Sequence, residues 1–510
     1  MHSELPGETL HPRSELKQLG QYFTPPPVAA FMARLFDASR HRVWRIIDAG
    51  AGSGRLTEAL VMHLLSAPQR PVSIHVTAWE IDPQVRPLLD ATLAHCGALC
   101  QAQRVGFTAR VEGGNFVVET ARSLAGDLFG AGDPPRFNAA IVNPPYRKLA
   151  SGSLERRALS DAGIETSNLY TAFLSLLFRV IEPGAELVSI NPRSFCSGSY
   201  FRSFRRELLH AMALQSIHLI DSRRATFSAD HVLQETVILH CRRKAEPGPA
   251  QPPTVLVSHS AGAPTAGAHG RPVATSELVS GTDPEAYVHL PEPSDESSAG
   301  RELEALPCTL AQLGLSVSTG RVVAFRAAPF LRETPVADAV PLVWPGDLDG
   351  EGGVRWPRDA TRKPVALVRG PETRSLVVPN GCYVLVKRLT AKEERRRVVA
   401  SLFDPERILG SYDSVAFENH LNYMHADGKP LERAIALGLV GYLNSTRVDQ
   451  YLRRFNGHTQ VNATDLRSLR YPNRASLGAL ASRLAGRSRG ALASQTALDA
   501  LVGAVLDGDR

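Results

Sequence analysis

Over the first 243 residues, short apolar runs alternate with stretches in which apolar positions recur every three or four residues. Phe137-Asn138-Ala139-Ala140-Ile141-Val142 has the length and burial pattern of a core strand. It stops before Pro144 and Pro145, which have no N–H to extend a ladder. Arg45-Ile46-Ile47 is a shorter run of the same kind, and Arg55 to Leu65 follows with Leu56, Leu60, Met62 and Leu64 at helical spacing. Val72 to Pro83 is β-branched and reads as a further strand. Leu169 to Ile181 predicts an apolar helix, and Leu187 to Ile190, Ile217 to Ile220 and Val232 to Leu239 predict strands. The alternation predicts an α/β domain over residues 1–243, with a mainly parallel sheet covered by helices on both faces.

The pattern changes after residue 243. Residues 244–300 are rich in Pro, Gly, Ala and Ser and read as a connector, with short strands at Val255 to Val257 and Tyr287 to Leu290. Residues 301–475 predict a second, mixed α/β domain with a helix over Leu431 to Leu452, and the tail, 476–510, reads as helical. A chain of 510 residues exceeds what one core supports, in keeping with this division.

Composition narrows the setting. The hydrophobic fraction of 43% is globular, and no run approaches the ~20 apolar residues of a membrane span. The start, Met1-His2-Ser3-Glu4-Leu5-Pro6, lacks the apolar core of a signal peptide. Six cysteines without a CxxC pair predict reduced thiols in a cytoplasmic protein, and neither they nor His458 has metal-ligand spacing, so no metal is expected. The net charge of +6 is a modest basic excess, compatible with a nucleic-acid partner.

Candidate chemistry sits at the strand ends, where open α/β sheets bind ligands. After the first strand come Asp48, Gly50, Gly52 and Gly54; a dinucleotide fingerprint would need a further glycine at position 55, which is Arg. Asp48 would repel a pyrophosphate and favours a cationic ligand group. S-adenosylmethionine, with a sulfonium and an ammonium and no phosphate, fits that requirement. Glu80 can accept from both hydroxyls of a ribose, and Ile81 can cover an adenine face. In Asn143-Pro144-Pro145-Tyr146, an amide oxygen and a backbone carbonyl can accept from an exocyclic amino group while the ring stacks on a flat base. Taken singly, each motif has a plain structural reading: a proline-ended strand, a turn that packs a helix on a strand, a solvated acid. Their succession within one unit argues for a site.

Gly20-Gln21-Tyr22-Phe23-Thr24-Pro25, Asp48 to Gly54, Glu80 and Asn143 to Tyr146, in that order, resemble the motifs of γ-class DNA adenine-N6 methyltransferases. The resemblance is closest to the BsuBI/PstI-type modification methyltransferases. It continues through Ser318 to Val322, Val386 to Arg388, Lys392 to Arg397, Phe417 to Tyr423 and Phe455 to Thr464, and covers nearly the whole chain except about 244 to 300. It implies a Rossmann-like methyltransferase domain dependent on S-adenosylmethionine, followed by a target-recognition domain. Thr24 and Pro25 would line the methionine end of the cofactor, Asp48 and Gly50 its amino-acid portion, Glu80 its ribose and Ile81 its adenine. Asn115 stands where the family usually has an Asp that accepts from the adenine amino group, and Phe116 would stack on that adenine. Asn143, Pro144, Pro145 and Tyr146 would form the catalytic loop, and Phe227 would stack on the target base opposite Tyr146.

The implied function is methyl transfer from S-adenosylmethionine to adenine N6 in an extruded nucleotide of double-stranded DNA. Arg453, Arg454, Asn456, His458, Thr459, Gln460 and Asn462 suit base-edge and phosphate contacts, and the basic stretch from Lys387 to Arg397 suits phosphate. The resemblance further implies a monomer in the bacterial cytoplasm, held at the nucleoid by its DNA. It implies a separate cognate restriction endonuclease, and CTGCAG as the methylated site. Two other readings stay open at this point: an N-methyltransferase of RNA or of protein glutamine, and a DNA-binding relative without activity.

Overall fold

The computed structural model describes residues 24–126, 136–220, 235–264, 270–281, 283–291, 302–358, 363–390, 394–408, 410–455, 460–485 and 494–506. The chain divides into two compact units between Val288 and His289.

The first unit is built on a nine-stranded sheet. Its strands, in chain order, are β1 (Val43–Ala49), β2 (Ser73–Trp79), β3 (Gly106–Glu112), β4 (Phe137–Val142), β5 (Ile181–Pro192), β6 (Met212–Ile220), β7 (Thr236–Arg243), β8 (Thr254–Ser260) and β9 (Arg271–Ala274). They lie in the order β3-β2-β1-β4-β5-β7-β6-β8-β9. The five strands from β3 to β5 run parallel. β7 is antiparallel to both neighbours, β5 and β6. Strand order reverses between β1 and β4, so the crevice outside their carboxyl ends is the expected ligand position. Ile47 is level with Ala140 in that pair; carried forward, the register sets Asn143 beside Gly50.

The helices α1 (Pro26–Arg34), α2 (Arg55–Ser66) and α3 (Arg86–Ala102) bury Val28, Met32, Leu60, Val61, Leu64 and Leu89 against the sheet. Met62, placed by periodicity among the apolar positions, is instead 55% exposed. At 100° per residue it lies off the face formed by Leu56, Leu60 and Leu64. α4 (Phe116–Ala125), α5 (Leu154–Asp161) and α6 (Leu169–Val180) follow, and then α7 (Arg202–Ala211). The described residues of 244–288 do not form a free connector. β8 and β9 extend the sheet, and the backbone N–H of Val288 donates to Cys196 O at 2.9 Å. A segment rich in Pro still makes strands at a sheet edge, where a missing N–H costs least.

The second unit contains two sheets. β10 (Ser316–Thr319), β15 (Tyr383–Lys387), β16 (Ala400–Phe403) and β18 (Leu421–His425) form one, in the order β10-β18-β15-β16. β11 (Leu331–Arg332), β12 (Ala339–Val343), β13 (Ala366–Val368), β14 (Val377–Pro379) and β17 (Ser414–Phe417) form the other. Tyr383, Phe403 and Tyr423 of the first sheet and Phe417 of the second pack into one aromatic core. The helix expected over Leu431 to Leu452 is two helices, Arg433–Leu443 and Thr446–Phe455. The break falls at Asn444, whose side chain bonds Ala400 in both directions, accepting from its N at 3.1 Å and donating to its O at 2.7 Å. Helix Arg474–Ala485 lies across the first of these two. Among the described residues, no helix is long and apolar enough to cross a membrane.

Gly438 marks the close approach of helices Arg433–Leu443 and Arg474–Ala485: a Cβ there would sit 2.2 Å from Leu477 O. Helix propensity alone would make Gly438→Ala stabilising by ~1 kcal/mol. The clash with backbone outweighs that, because the two helices must separate, at a cost of roughly 1–3 kcal/mol. The expected result is a lower melting temperature in calorimetry; an unchanged or higher one would contradict this packing.

Candidate active site

The site assembles from four strand ends of the first unit. Asp48, next to last in β1, is fully buried. Thr57, in the first turn of α2, donates its hydroxyl to Asp48 Oδ2 at 2.7 Å. Oδ1 is buried without a hydrogen-bond partner. Burial pushes the Asp48 pKa up to about 7, and the nearby Glu80 charge adds to the rise against the opposing Thr57 hydrogen bonds. Nearly all buried polar atoms are satisfied, so an open carboxylate oxygen here fits a donor or cationic group brought by a ligand.

Between β1 and α2 the chain turns through Gly50, Gly52 and Gly54, with φ of 77°, 55° and 80°. A side chain at these left-handed positions would be strained, and at Gly54 its Cβ would also press on Leu89 Cδ1 at 2.9 Å. Gly50 N and Ala51 N donate to Trp79 O, at 2.9 and 2.8 Å. Glu80, 5% exposed at the end of β2, accepts from Gly52 N through Oε2 and from Asp82 N through Oε1, each at 2.8 Å. Its pKa is raised, chiefly by burial. The glycine loop is thus fastened to the neighbouring strand by one carboxylate and by the Trp79 carbonyl. Ile81 beside it is 56% exposed.

Asn115, after β3, caps α4. Its Oδ1 accepts from Val117 N at 3.1 Å and Val118 N at 3.3 Å. The oxygen expected to accept from an adenine amino group therefore already carries two backbone donors. Its Nδ2 lies 3.4 Å from Glu155 Oε1. Phe116 is buried, edge-on to Trp79 at 5.5 Å and tilted against Phe173 at 4.9 Å.

After β4, Asn143 is held at both ends of its amide. Nδ2 donates to Thr24 Oγ1 at 3.0 Å, across 119 positions of sequence. The Tyr146 hydroxyl lies 2.9 Å from both Asn143 Oδ1 and Ile190 O, and its single proton serves one of them at a time. Thr24 is buried, and Pro25 opens α1 by accepting from Ala29 N at 3.0 Å. The Tyr146 ring stands T-shaped to Tyr170 at 6.2 Å. Asn143 and Tyr146 are both partly exposed.

The structure thus joins Thr24 to Asn143, Asn143 to Tyr146 and Gly52 to Glu80, with Asp48 near enough to feel the Glu80 charge. Phe227 lies outside the described residues. Periodicity gave no sign of Thr57, Phe173 or the Ile190 carbonyl; Thr57 is one polar residue in a helical pattern, and a carbonyl has no sequence signature. Among the described residues, no cluster of His, Cys, Asp or Glu could hold a metal. All six cysteines are free thiols, and Cys308 exchanges backbone hydrogen bonds with Tyr471.

In the second unit, several cations expected to face a partner turn inward. Arg397 is fully buried and its N donates to Asp449 Oδ1 at 2.6 Å. Arg453 Nε donates to Asp449 Oδ2 at 2.7 Å, and Arg454 is 6% exposed. Asn462 caps helix Ala463–Ser468 together with Asp465. Asn456, His458 and Thr459 lie outside the described residues, as do Lys392 and Glu393.

Comparison with known proteins adds an independent line. The Eco57I restriction-modification methylase family matches residues 112–227. The type II methyltransferase M.PstI of Providencia stuartii is 39% identical over 469 residues, 92% of this chain and 89% of that protein. M.BsuBI of Bacillus subtilis, also a type II methyltransferase, is 39% identical over 458 residues, 90% of this chain and 88% of that protein. Among solved structures, the DrdV–DNA complex shares the fold with a TM-score of 0.50 at 11% identity, over 92% of this chain and 57% of that one.

The buried Asp48 predicts a pH dependence. Its folded pKa, about 7, lies above its ordinary value of 3.8. The folded state therefore binds the proton more tightly than the unfolded chain. Asp48 contributes stability that is full below pH ~4 and lost as pH rises through about 7, a few kcal/mol at most. Asp48→Asn, which keeps an acceptor for Thr57, should raise the melting temperature only modestly at pH 5 and clearly more at pH 8. Equal shifts at both pH values would contradict the assignment.

Proposed function

The chain belongs to the type II methyltransferases of restriction-modification systems, the family of M.PstI and M.BsuBI, and from that membership we propose that it methylates the exocyclic N6 of adenine in duplex DNA. The observation that carries the reading is the doubly held Asn143 at the carboxyl end of β4, beside a glycine loop flanked by two buried acids.

The cofactor is S-adenosylmethionine, which supplies an electrophilic methyl group when bound. The residues present suit it. The open Asp48 Oδ1 suits the ammonium of its amino-acid portion. Glu80, at the end of β2, suits its ribose hydroxyls, and the exposed Ile81 suits a face of its adenine. Gly50, Gly52 and Gly54 let backbone approach closely. Thr24 and Pro25 stand next to the reacting end because Thr24 bonds Asn143. Phe116 supports the adenine pocket from within the core. Asn115 reaches that pocket through its cap of α4, with its amide nitrogen toward Glu155.

Adenine N6 is a weak nucleophile because its lone pair is delocalised into the ring. Asn143 Oδ1 and the Pro144 carbonyl can each accept one N6 hydrogen, which turns the lone pair out of the ring plane. Positive charge grows on N6 as the new N–C bond forms, so two preset acceptors stabilise the transition state more than the ground state. Thr24 keeps the Asn143 oxygen, and not its nitrogen, aimed at the substrate. Pro145 stiffens the loop. The Tyr146 ring stacks on the base, an interaction worth ~1–3 kcal/mol that offsets part of the cost of extrusion. Phe227 is proposed for the opposite face of the base.

The second unit serves as the target-recognition domain. We also propose the bacterial cytoplasm as the site of action, a monomer as the acting species and a separate endonuclease as its companion. CTGCAG is the expected target sequence. Label transfer compared across duplex DNA, RNA and protein tests the substrate class, and plasmid from an expressing host, sequenced with modified-base detection, tests the base and the site. Unmodified plasmid adenines would overturn the proposal.

Asn143→Ala should retain DNA and cofactor binding while methyl transfer falls by at least ~10²–10³-fold. Retained turnover would remove the residue from its role. Glu80→Ala should instead weaken cofactor affinity in calorimetry, and unchanged affinity would show that the carboxylate does no more than fasten Gly52.

A further inference from the structure

Four segments singled out by sequence, and not used by the catalytic reading, converge at one end of the β10-β18-β15-β16 sheet in the second unit. The ends of β10 and β15 and the start of β18 meet there, because β18 runs antiparallel to both, with Thr319 level with Asn422 and Lys387 level with Leu421. Gly320 N donates to Leu421 O at 2.8 Å and Asn419 N to Val322 O at 2.9 Å. Arg388 N donates to His420 O at 2.9 Å, Val461 N to Arg388 O at 2.7 Å and Asn422 Nδ2 to Val461 O at 2.8 Å. The approach at Gly320 is so close that a Cβ would lie 2.1 Å from Glu418 O.

This backbone knot holds a set of polar side chains. The Arg388 guanidinium is steadied from two sides, by Asn419 O at 3.2 Å and by Gln460 Oε1 at 3.4 Å. Its Nε is buried without a partner. His420 is fixed by the buried Glu418, which accepts from its Nδ1 at 2.7 Å and its backbone N at 2.8 Å, leaving Nε2 for a ligand. Arg321 is exposed at the same end. A preset, partly exposed guanidinium fork beside an amide and an imidazole is the donor pattern that major-groove base edges take, and an Arg fork matches the N7 and O6 acceptors of guanine.

We propose that this sheet end is the base-reading surface of the protein and that Arg388 reads a guanine of the target site through N7 and O6. Gln460 and the Asn419 carbonyl orient the fork, and His420 reads an adjacent position. The proposal rests on the DNA-methyltransferase reading above. It also explains why Arg397 and Arg453 can be turned inward: reading needs one oriented fork, not a dense positive field.

The test pairs a side-chain deletion with a base-atom deletion. Duplexes carry the site mapped by modified-base sequencing, with each guanine in turn replaced by 7-deazaguanine. The wild type should lose roughly 10- to 100-fold in kcat/KM at one guanine. Arg388→Ala should be slower on the natural duplex and insensitive to that replacement, while its S-adenosylmethionine affinity stays unchanged. Should the alanine variant not fold, Arg388→Lys, which keeps the charge and lacks the fork, takes its place. A wild type indifferent to every replacement overturns the proposal. So does a variant that is uniformly weaker on all duplexes with the wild-type sensitivity intact, since that marks a phosphate contact. A wild type that methylates no duplex sinks the proposed function instead, which separates the two failures.

Discussion

A carboxylate buried with one oxygen unanswered is the constraint around which the first unit is arranged. Asp48 sits at the end of a central parallel strand, where both sheet faces are covered and water cannot pair with Oδ1. Such burial opposes folding unless the group protonates or a ligand answers it. The surroundings are built to keep it unanswered: Thr57 takes one oxygen, while Glu80 spends both of its own on the backbone of Gly52 and Asp82. The loop is thereby fixed, with the N–H groups of Gly50 and Ala51 committed to Trp79 O and that of Gly54 to Ala51 O. A preorganised cavity of this kind exchanges stability for affinity, because the free energy withheld in folding is recovered when a cationic group arrives.

The same logic recurs at the end of β4. Asn143 can present oxygen or nitrogen to a substrate, and only oxygen accepts from an amino group. Thr24 and Tyr146 decide the choice from two distant parts of the chain. Rigid strands and two fixed loops therefore hold the proposed site, and helices α1 and α2 serve chiefly to bring Thr24 and Thr57 into register.

How much of this was legible follows from range. Asp48, the three glycines, Glu80 and the proline-ended strand each declare themselves within ten residues, so local pattern found them. The Thr24–Asn143 bond spans 119 positions and Ile190 contributes only a carbonyl, so neither left a local trace. Asn115 stands, by resemblance, where the family usually has an Asp; its residue type is also a strong helix cap, and its oxygen accepts from two backbone N–H groups of the helix it opens. In the second unit, apolar spacing continued unbroken through Asn444, and only the Ala400 backbone on a distant strand explains the split helix. The antiparallel insertion of β7 is equally silent, since a buried strand has the same composition in either direction.

Two kinds of residue thus divide the labour. Those proposed to touch substrate or cofactor sit at strand ends and show themselves by type: acid, glycine, amide. Those that aim them are ordinary residues, made specific by place alone, as Thr57 is for Asp48 and Gln460 for Arg388. An acid at position 48 without Thr57 would have both oxygens open and a still higher pKa, hence less charge to offer a cation at neutral pH. An arginine at 388 without Asn419 and Gln460 would sample many rotamers and contact phosphate as readily as a base edge. Both proposed sites therefore depend on residues that do no chemistry themselves, held in place by hydrogen bonds already formed without a ligand.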